Sequence, residues 1–128
     1  MLKTYSGLNI FIMGFLALSF FIAGASNAEQ NSSSSLTEVE GIKVCMVTDQ
    51  LFVKDQIPVE LEGKTYYGCC EMCKGKLKNN PDSRVAIDPI SGNQVDKAQA
   101  VIGAAPDGSV YYFESEENLA KYKPALSN

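Results

Sequence analysis

The chain has no histidine among its 128 residues. That removes the usual general base and the commonest metal-ligating side chain. Hydrolytic chemistry of the usual kinds goes with it, because neither a nucleophile–imidazole pair nor an ordinary open catalytic zinc triad can be assembled. Any tight metal site must be sulfur-rich. Basic charge is also short, with 11 Lys and Arg against 15 Asp and Glu and a net charge of −4. Phosphate backbones are held by clustered Lys and Arg, so a nucleic-acid partner is not expected. No βαβ pattern precedes the cysteine-rich stretch, so the setting of a thioredoxin-type redox enzyme is missing.

The N-terminus reads as an export signal. Lys3 supplies the positive charge, and an apolar stretch rich in Phe, Ile and Leu covers residues 8–25. Small residues follow, and Ser26-Asn27-Ala28 fits the small-x-small cleavage rule, which places a cut after Ala28. No cysteine follows the apolar run, so a lipid-anchored form is not supported. A periplasmic or secreted location follows, and membrane association only if the segment stays uncleaved. Without residues 1–28 the chain has 100 residues, 10 basic and 15 acidic, enough for one modest domain or two very small ones.

Residues 29–37 include Ser32, Ser33, Ser34 and Ser35 and are expected to be a flexible linker. An apolar pattern begins at Val39, Ile42 and Val44. Further on the chain repeats itself. Gly63-Lys64-Thr65-Tyr66-Tyr67-Gly68 matches Gly108-Ser109-Val110-Tyr111-Tyr112-Phe113 at a shift of 45, which also carries Glu71 onto Glu116. A turn signal precedes each Tyr-Tyr pair and a helix-like segment follows it. Each half therefore reads as a loop, a β-hairpin and a short helix. The first helix should begin near Cys69 or Cys70, with Glu71 early and Lys74, Lys76 and Lys78 late. Asn79-Asn80-Pro81-Asp82 ends it and divides the halves. The second helix should begin after Ser115 as N-cap and stop by Pro124, with Leu119 and Tyr122 on one face. In each Tyr-Tyr pair one ring should point inward and the other outward.

The four cysteines, Cys45, Cys69, Cys70 and Cys73, split one against three, with 23 residues between Cys45 and Cys69. A distant thiol and a tight cluster can close one loop around one ion, or staple the same loop by a disulfide. Thiolates select soft or borderline ions such as Cu(I) and Zn²⁺. A helix start lowers thiol pKa, and Cys73 lies one turn beyond both Cys69 and Cys70. Three thiolates suit trigonal Cu(I); a fourth from Cys70 would give the all-sulfur tetrahedron that structural Zn²⁺ prefers. Adjacent Cys69 and Cys70 strain the backbone if both bind one ion, so Cys45, Cys69 and Cys73 form the core set and Cys70 or a methionine is the optional extra. Lys43, Lys74 and Lys76 are placed to offset the site's charge. Met46 and Met72 read as core filler or surface residues before they read as ligands. The disulfide alternative closes a loop of roughly 25 residues and stabilises by about 3 kcal/mol. A further alternative uses Cys70-Glu71-Met72-Cys73 as a redox-active Cys-x-x-Cys pair.

Cys45 followed by Tyr66-Tyr67-Gly68-Cys69-Cys70-Glu71-Met72-Cys73 resembles the TRASH domain, a small treble-clef-like module with one distant cysteine and two cysteines a helical turn apart. The pattern falls on Cys45, Cys69 and Cys73. Asp88-Pro89-Ile90-Ser91-Gly92 and Tyr111-Tyr112-Phe113 resemble the related YHS domain, but Ser91, Glu114 and Asn118 stand at its cysteine positions. The resemblance implies heavy-metal binding in sensing, trafficking or resistance, and no reaction.

The expected protein is a small α+β chain of two tandem treble-clef-like units. Residues 1–28 are the signal and 29–37 the linker. Residues 38–80 form the cysteine metal-binding unit and 81–128 a degenerate unit without cysteines. Its expected role is non-enzymatic: a carrier, sensor or scavenger of Cu(I) or Zn²⁺ that meets a metal-handling protein partner. The alternative is a thiol/disulfide redox protein or a disulfide-stabilised interaction module.

Overall fold

The computed structural model describes residues 35–124; the expected signal segment and most of the expected linker lie outside them. The described chain is α+β, built from small antiparallel sheets and two helices. β1 (Thr37–Glu38) comes first. Then β2 (Val44–Cys45) and β3 (Gln50–Leu51) form a short hairpin, and β4 (Ile57–Leu61) and β5 (Lys64–Gly68) a longer one, followed by α1 (Glu71–Asn79). The order then recurs. β6 (Val85–Ile87) and β7 (Gln94–Asp96) pair, β8 (Val101–Ala104) and β9 (Val110–Phe113) pair, and α2 (Glu116–Lys121) follows.

Local chemistry explains these elements. Glu62 and Gly63 both take positive φ, which closes the β4–β5 hairpin in two residues. Asn80 caps the end of α1, and its side-chain oxygen accepts from the Asp82 N–H at 3.0 Å, with Pro81 opening a 3₁₀ turn. Ser115 caps α2, its hydroxyl oxygen accepting from the Asn118 N–H at 3.2 Å. Cys70 stands at the same place before α1 but makes no side-chain capping bond.

Strand pairing includes a residue that the sequence assigns to the linker. Leu36 and Thr37 were expected within the linker, yet Leu36 is buried and Thr37 pairs with Ala104 on β8. Gly103 explains this: a Cβ there would lie 2.8 Å from Leu36 Cδ1 and 3.0 Å from Leu119 Cδ1, so its missing side chain is the slot into which both leucines pack. One apolar residue after a serine run is therefore enough to anchor the strand.

The two segments share one core. Val44, Met46, Val59, Tyr66 and Leu77 pack in one cluster with Val95, Ile102, Val110 and Tyr112. Two ionic clamps cross between the segments in opposite directions. Asp96 accepts from Lys64 Nζ at 2.7 Å and from the Tyr66 hydroxyl at 2.9 Å. Asp49 accepts from Lys97 Nζ at 2.6 Å and from the Tyr112 hydroxyl at 3.0 Å. Each segment thus lends a carboxylate to the other's lysine and buried tyrosine. One tyrosine of each pair is buried, but the pleat runs in opposite phase: the first tyrosine is inside in Tyr66-Tyr67 and the second in Tyr111-Tyr112. The repeat therefore preserves the order of elements but not the face each residue presents.

Candidate metal centre

Cys45 ends β2 and is fully buried. The chain turns immediately afterwards. The Asp49 N–H bonds back to the Cys45 carbonyl at 2.8 Å, and Asp49 itself takes a φ of 52°, which aspartate tolerates better than most residues. The Met46 N–H bonds the Tyr67 carbonyl at 2.9 Å, which ties this turn to β5. β5 runs directly into Cys69 and Cys70, and α1 then carries Cys73. The two remote stretches of sequence meet because β5 pairs with β4 on one side and receives the β2 turn on the other.

The sulfurs of Cys45, Cys69 and Cys73 all lie within 4.8 Å of one another, a group that could hold a metal ion. Cys69 Sγ is 3.5 Å from Cys73 Sγ. A trigonal centre with metal–sulfur bonds of about 2.3 Å requires sulfurs about 4 Å apart, so ion binding needs only small movements. Cys70 falls outside the triad, yet its Sγ lies 3.5 Å from Cys73 Sγ. All four thiols are free in this structure.

A glycine makes this approach possible. A Cβ on Gly68 would sit 3.0 Å from Cys73 Cβ and 3.2 Å from the Lys74 nitrogen. The signal in the sequence was a glycine directly before the cysteines, in a strand where glycine otherwise weakens packing.

Without an ion, the thiols divide into two kinds. For Cys45 burial raises the pKa, but the Thr48 hydroxyl and the Thr48, Val47 and Cys69 N–H groups outweigh it and bring it down to about 7. Cys70 is lowered by the Cys73 N–H that it faces, although no capping bond is completed, and by the Cys73 thiol. Cys69 is raised by its hydrogen bond with Cys45 and by burial. Cys73 is pushed up to about 12 by burial and by hydrogen bonds with Cys69, Cys70 and Cys45. Protons on Cys69 and Cys73 thus hold together a cluster that would repel itself if every sulfur were ionised, and a cation can replace those protons.

The two methionines, Lys43 and Lys74 have other surroundings or partners. Met46 is a core residue and Met72 is 84% exposed. Lys43 donates to the Val53 carbonyl and pairs with Asp55, and Lys74 pairs with Glu71. The lysine that does support the centre, Lys97, gave no signal in the sequence. It is buried, donates to the Met46 carbonyl at 2.8 Å and to Asp49 at 2.6 Å, and lies over the Tyr112 ring at 4.9 Å. It therefore pins both ends of the turn that follows Cys45, from 51 residues away in the chain.

The second segment is tied together by a buried carboxylate. Asp88 is fully buried. One carboxylate oxygen accepts from the N–H groups of Ile90 and Ser91 at 2.7 and 3.2 Å. The other accepts from the Glu114 N–H and the Asn118 side-chain amide, both at 2.8 Å. Burial raises the Asp88 pKa, but these donors outweigh it and hold the carboxyl below its ordinary value. Ser91, Glu114 and Asn118 are the positions at which the resemblance to a YHS domain would expect cysteines. An anion surrounded by N–H donors draws together three segments there, much as thiolates around a cation would in the first segment.

Comparison with known proteins finds no family model, no curated protein and no solved structure that matches the chain.

Proposed function

We propose that this chain is an exported, non-enzymatic carrier or scavenger of a soft metal ion, held as cargo by Cys45, Cys69 and Cys73. The observation that carries this reading is the convergence of the Cys45 sulfur with those of Cys69 and Cys73, all within 4.8 Å of one another although 23 residues separate Cys45 from Cys69. Cu(I) is the ion the site suits first, because a three-thiolate set satisfies it and excludes hard cations. Export rests on the N-terminal apolar run and the Ser26-Asn27-Ala28 site. A TRASH-like first unit and a YHS-like second unit fit the same reading, with Asp88 making the second unit independent of metal. The stoichiometry is then one ion per chain.

A second reading is favoured by one contact. Cys70 Sγ lies 3.5 Å from Cys73 Sγ, so a modest rearrangement would supply a fourth sulfur for Zn²⁺.

The test is competition titration of the reduced protein with Cu(I) and with Zn²⁺, each against a chromophoric chelator, followed by single Cys→Ser variants. One equivalent of Cu(I) should bind, and Cys45→Ser, Cys69→Ser and Cys73→Ser should each weaken it strongly while Cys70→Ser does not. Unchanged affinity in Cys45→Ser would remove the proposed site. Equal losses in all four variants, with Zn²⁺ retained, would select the tetrahedral reading.

A further inference from the structure

Cys70 has no place in the three-sulfur group, yet the fold sets its sulfur against a member of that group. It is the N-cap residue of α1 and Cys73 is the third residue of the helix. A side chain at the N-cap naturally faces the third helical residue, the geometry that Ser115 uses to accept from the Asn118 N–H. Cys70 instead lies sulfur to sulfur with Cys73 at 3.5 Å and makes no capping bond. A disulfide needs about 2.05 Å, a closure that side-chain rotation can supply. Exposure separates the two: Cys70 is partly exposed and Cys73 is 8% exposed. A dissolved oxidant therefore meets Cys70 first.

We propose that Cys70 is a redox trigger for the metal site: its oxidation to a Cys70–Cys73 disulfide withdraws Cys73 from the ion and releases it. This rests on the reading of Cys45, Cys69 and Cys73 as the metal-binding set. The oxidant is a small-molecule disulfide such as oxidised glutathione. The Cys70 thiolate, its proton lost to solvent, attacks one sulfur of that disulfide. The oxidant's S–S bond breaks and one half leaves as a thiolate. The Cys73 sulfur, using the electron pair that held the ion, then attacks Cys70 Sγ, and the second half leaves as a thiolate. The two protein sulfurs are oxidised together by two electrons and the two oxidant sulfurs are reduced. The ion keeps only two protein thiolates, Cys45 and Cys69.

Cys70 is suited to this role and Cys69 is not. In the loaded protein Cys69 commits its electron pair to the ion, whereas Cys70 remains a free nucleophile 3.5 Å from the Cys73 sulfur. Removing Cys70 should leave binding intact and abolish triggered release.

The test has two arms on the full chain. In the first, metal-free Cys69→Ser protein, which lacks the other sulfur 3.5 Å from Cys73, is oxidised with glutathione disulfide, its residual thiols are blocked, and the chain is cleaved after Glu71, which separates Cys70 from Cys73. The flanking fragments should stay joined until a reductant is added, and should separate without reductant when Cys70→Ser or Cys70→Ala is combined with Cys69→Ser. Fragments that remain joined in those variants, or a bridge that includes Cys45, would overturn the proposal. In the second arm, Cu(I)-loaded protein is treated with the same oxidant beside a chromophoric chelator. Wild type should release its ion at least roughly tenfold faster than Cys70→Ser. Equal release rates would overturn the trigger while leaving the metal reading intact. Failure of reduced wild type to bind Cu(I) at all would instead overturn the metal reading and the regulation with it, although the fragment assay would still show whether the disulfide forms.

Discussion

Lys97→Met tests whether the second segment positions the Cys45 turn. Methionine keeps most of the lysine stem, so packing beside Tyr112 is largely retained and the loss is confined to the ammonium. That group, on a side chain only 5% exposed, makes two bonds: 2.6 Å to Asp49 and 2.8 Å to the buried Met46 carbonyl. A hydrogen bond to a charged partner contributes about 1.5–3 kcal/mol, and a buried carbonyl left unpaired costs about 1–3 kcal/mol. The cation over the Tyr112 ring adds about 0.5–1 kcal/mol. Two effects offset these losses. The Asp49 side chain is 44% exposed and keeps the Tyr112 hydroxyl, so it can recover water. The variant also no longer buries an ammonium. A net loss of about 2 kcal/mol is expected in the metal-free protein. If the turn must be re-ordered on binding, up to the same amount is lost from affinity, about 30-fold in Kd. Thermal melting of metal-free protein reads the first quantity and Cu(I) competition reads the second. A purely structural role would change affinity equally in a Cys45→Ser background; a positioning role predicts that the affinity effect vanishes there. A variant that melts and binds like wild type would refute the reasoning.

Three other outcomes follow from the geometry. Gly68→Ala forces a Cβ to within 3.0 Å of Cys73 Cβ, so it should cost about 1–3 kcal/mol of stability and weaken metal binding as the start of α1 shifts; unchanged melting and affinity would show that the approach is looser. Asp88→Asn places an amide against four donors and should destabilise the chain by about 3 kcal/mol. The Asp88 carboxyl is held below its ordinary value in the folded chain, as is that of Asp96, where burial is outweighed by the Lys64 ion pair and the Ala98 N–H. Their stabilisation is therefore complete above the ordinary carboxylate value of about 3.9 and is lost as pH falls through the depressed folded values; acid unfolding followed by circular dichroism should show a shallower dependence in Asp88→Asn. Metal binding should release protons, because Cys73 is pushed up to about 12 and Cys69 is also raised. With Cys45 at about 7, three protons leave below that pH and two above it, so affinity should fall as pH falls. Calorimetry in buffers of different ionisation enthalpy measures this release, and an affinity that does not vary with pH would contradict it.

Features that depend on near neighbours were legible in the sequence. Ser115 with Glu116 and Glu117 marked the start of α2, and Asn80-Pro81 marked the end of α1. α2 ends at Lys121, three residues short of Pro124, because Tyr122 leaves the helix as its C-cap and packs on Tyr111 and Phe113 with ring centroids 4.9 and 5.6 Å apart. The linker boundary was harder to place, since the order of Leu36 comes from a slot at Gly103, far along the chain. Lys97 was invisible for the same reason. Nothing near it in sequence distinguishes a buried clamp from an ordinary surface lysine. Nor could the pleat phase of the tyrosine pairs be read, because alternation predicts one ring inside without saying which.

The residues alone determined the chemistry available: four thiols, no imidazole, and helix starts that place Cys69, Cys70 and Cys73 within one turn. Those relations span a few residues, and backbone geometry fixes them locally. The tertiary structure alone decided that Cys45 arrives at that turn, that Cys70 stands beside the triad and not in it, and that Asp88 ties its own loop to Glu114 and Asn118. Each of these outcomes requires distant strands to pair and a shared core to close, and the free energy of that closure is spread over many contacts that no short stretch of sequence contains.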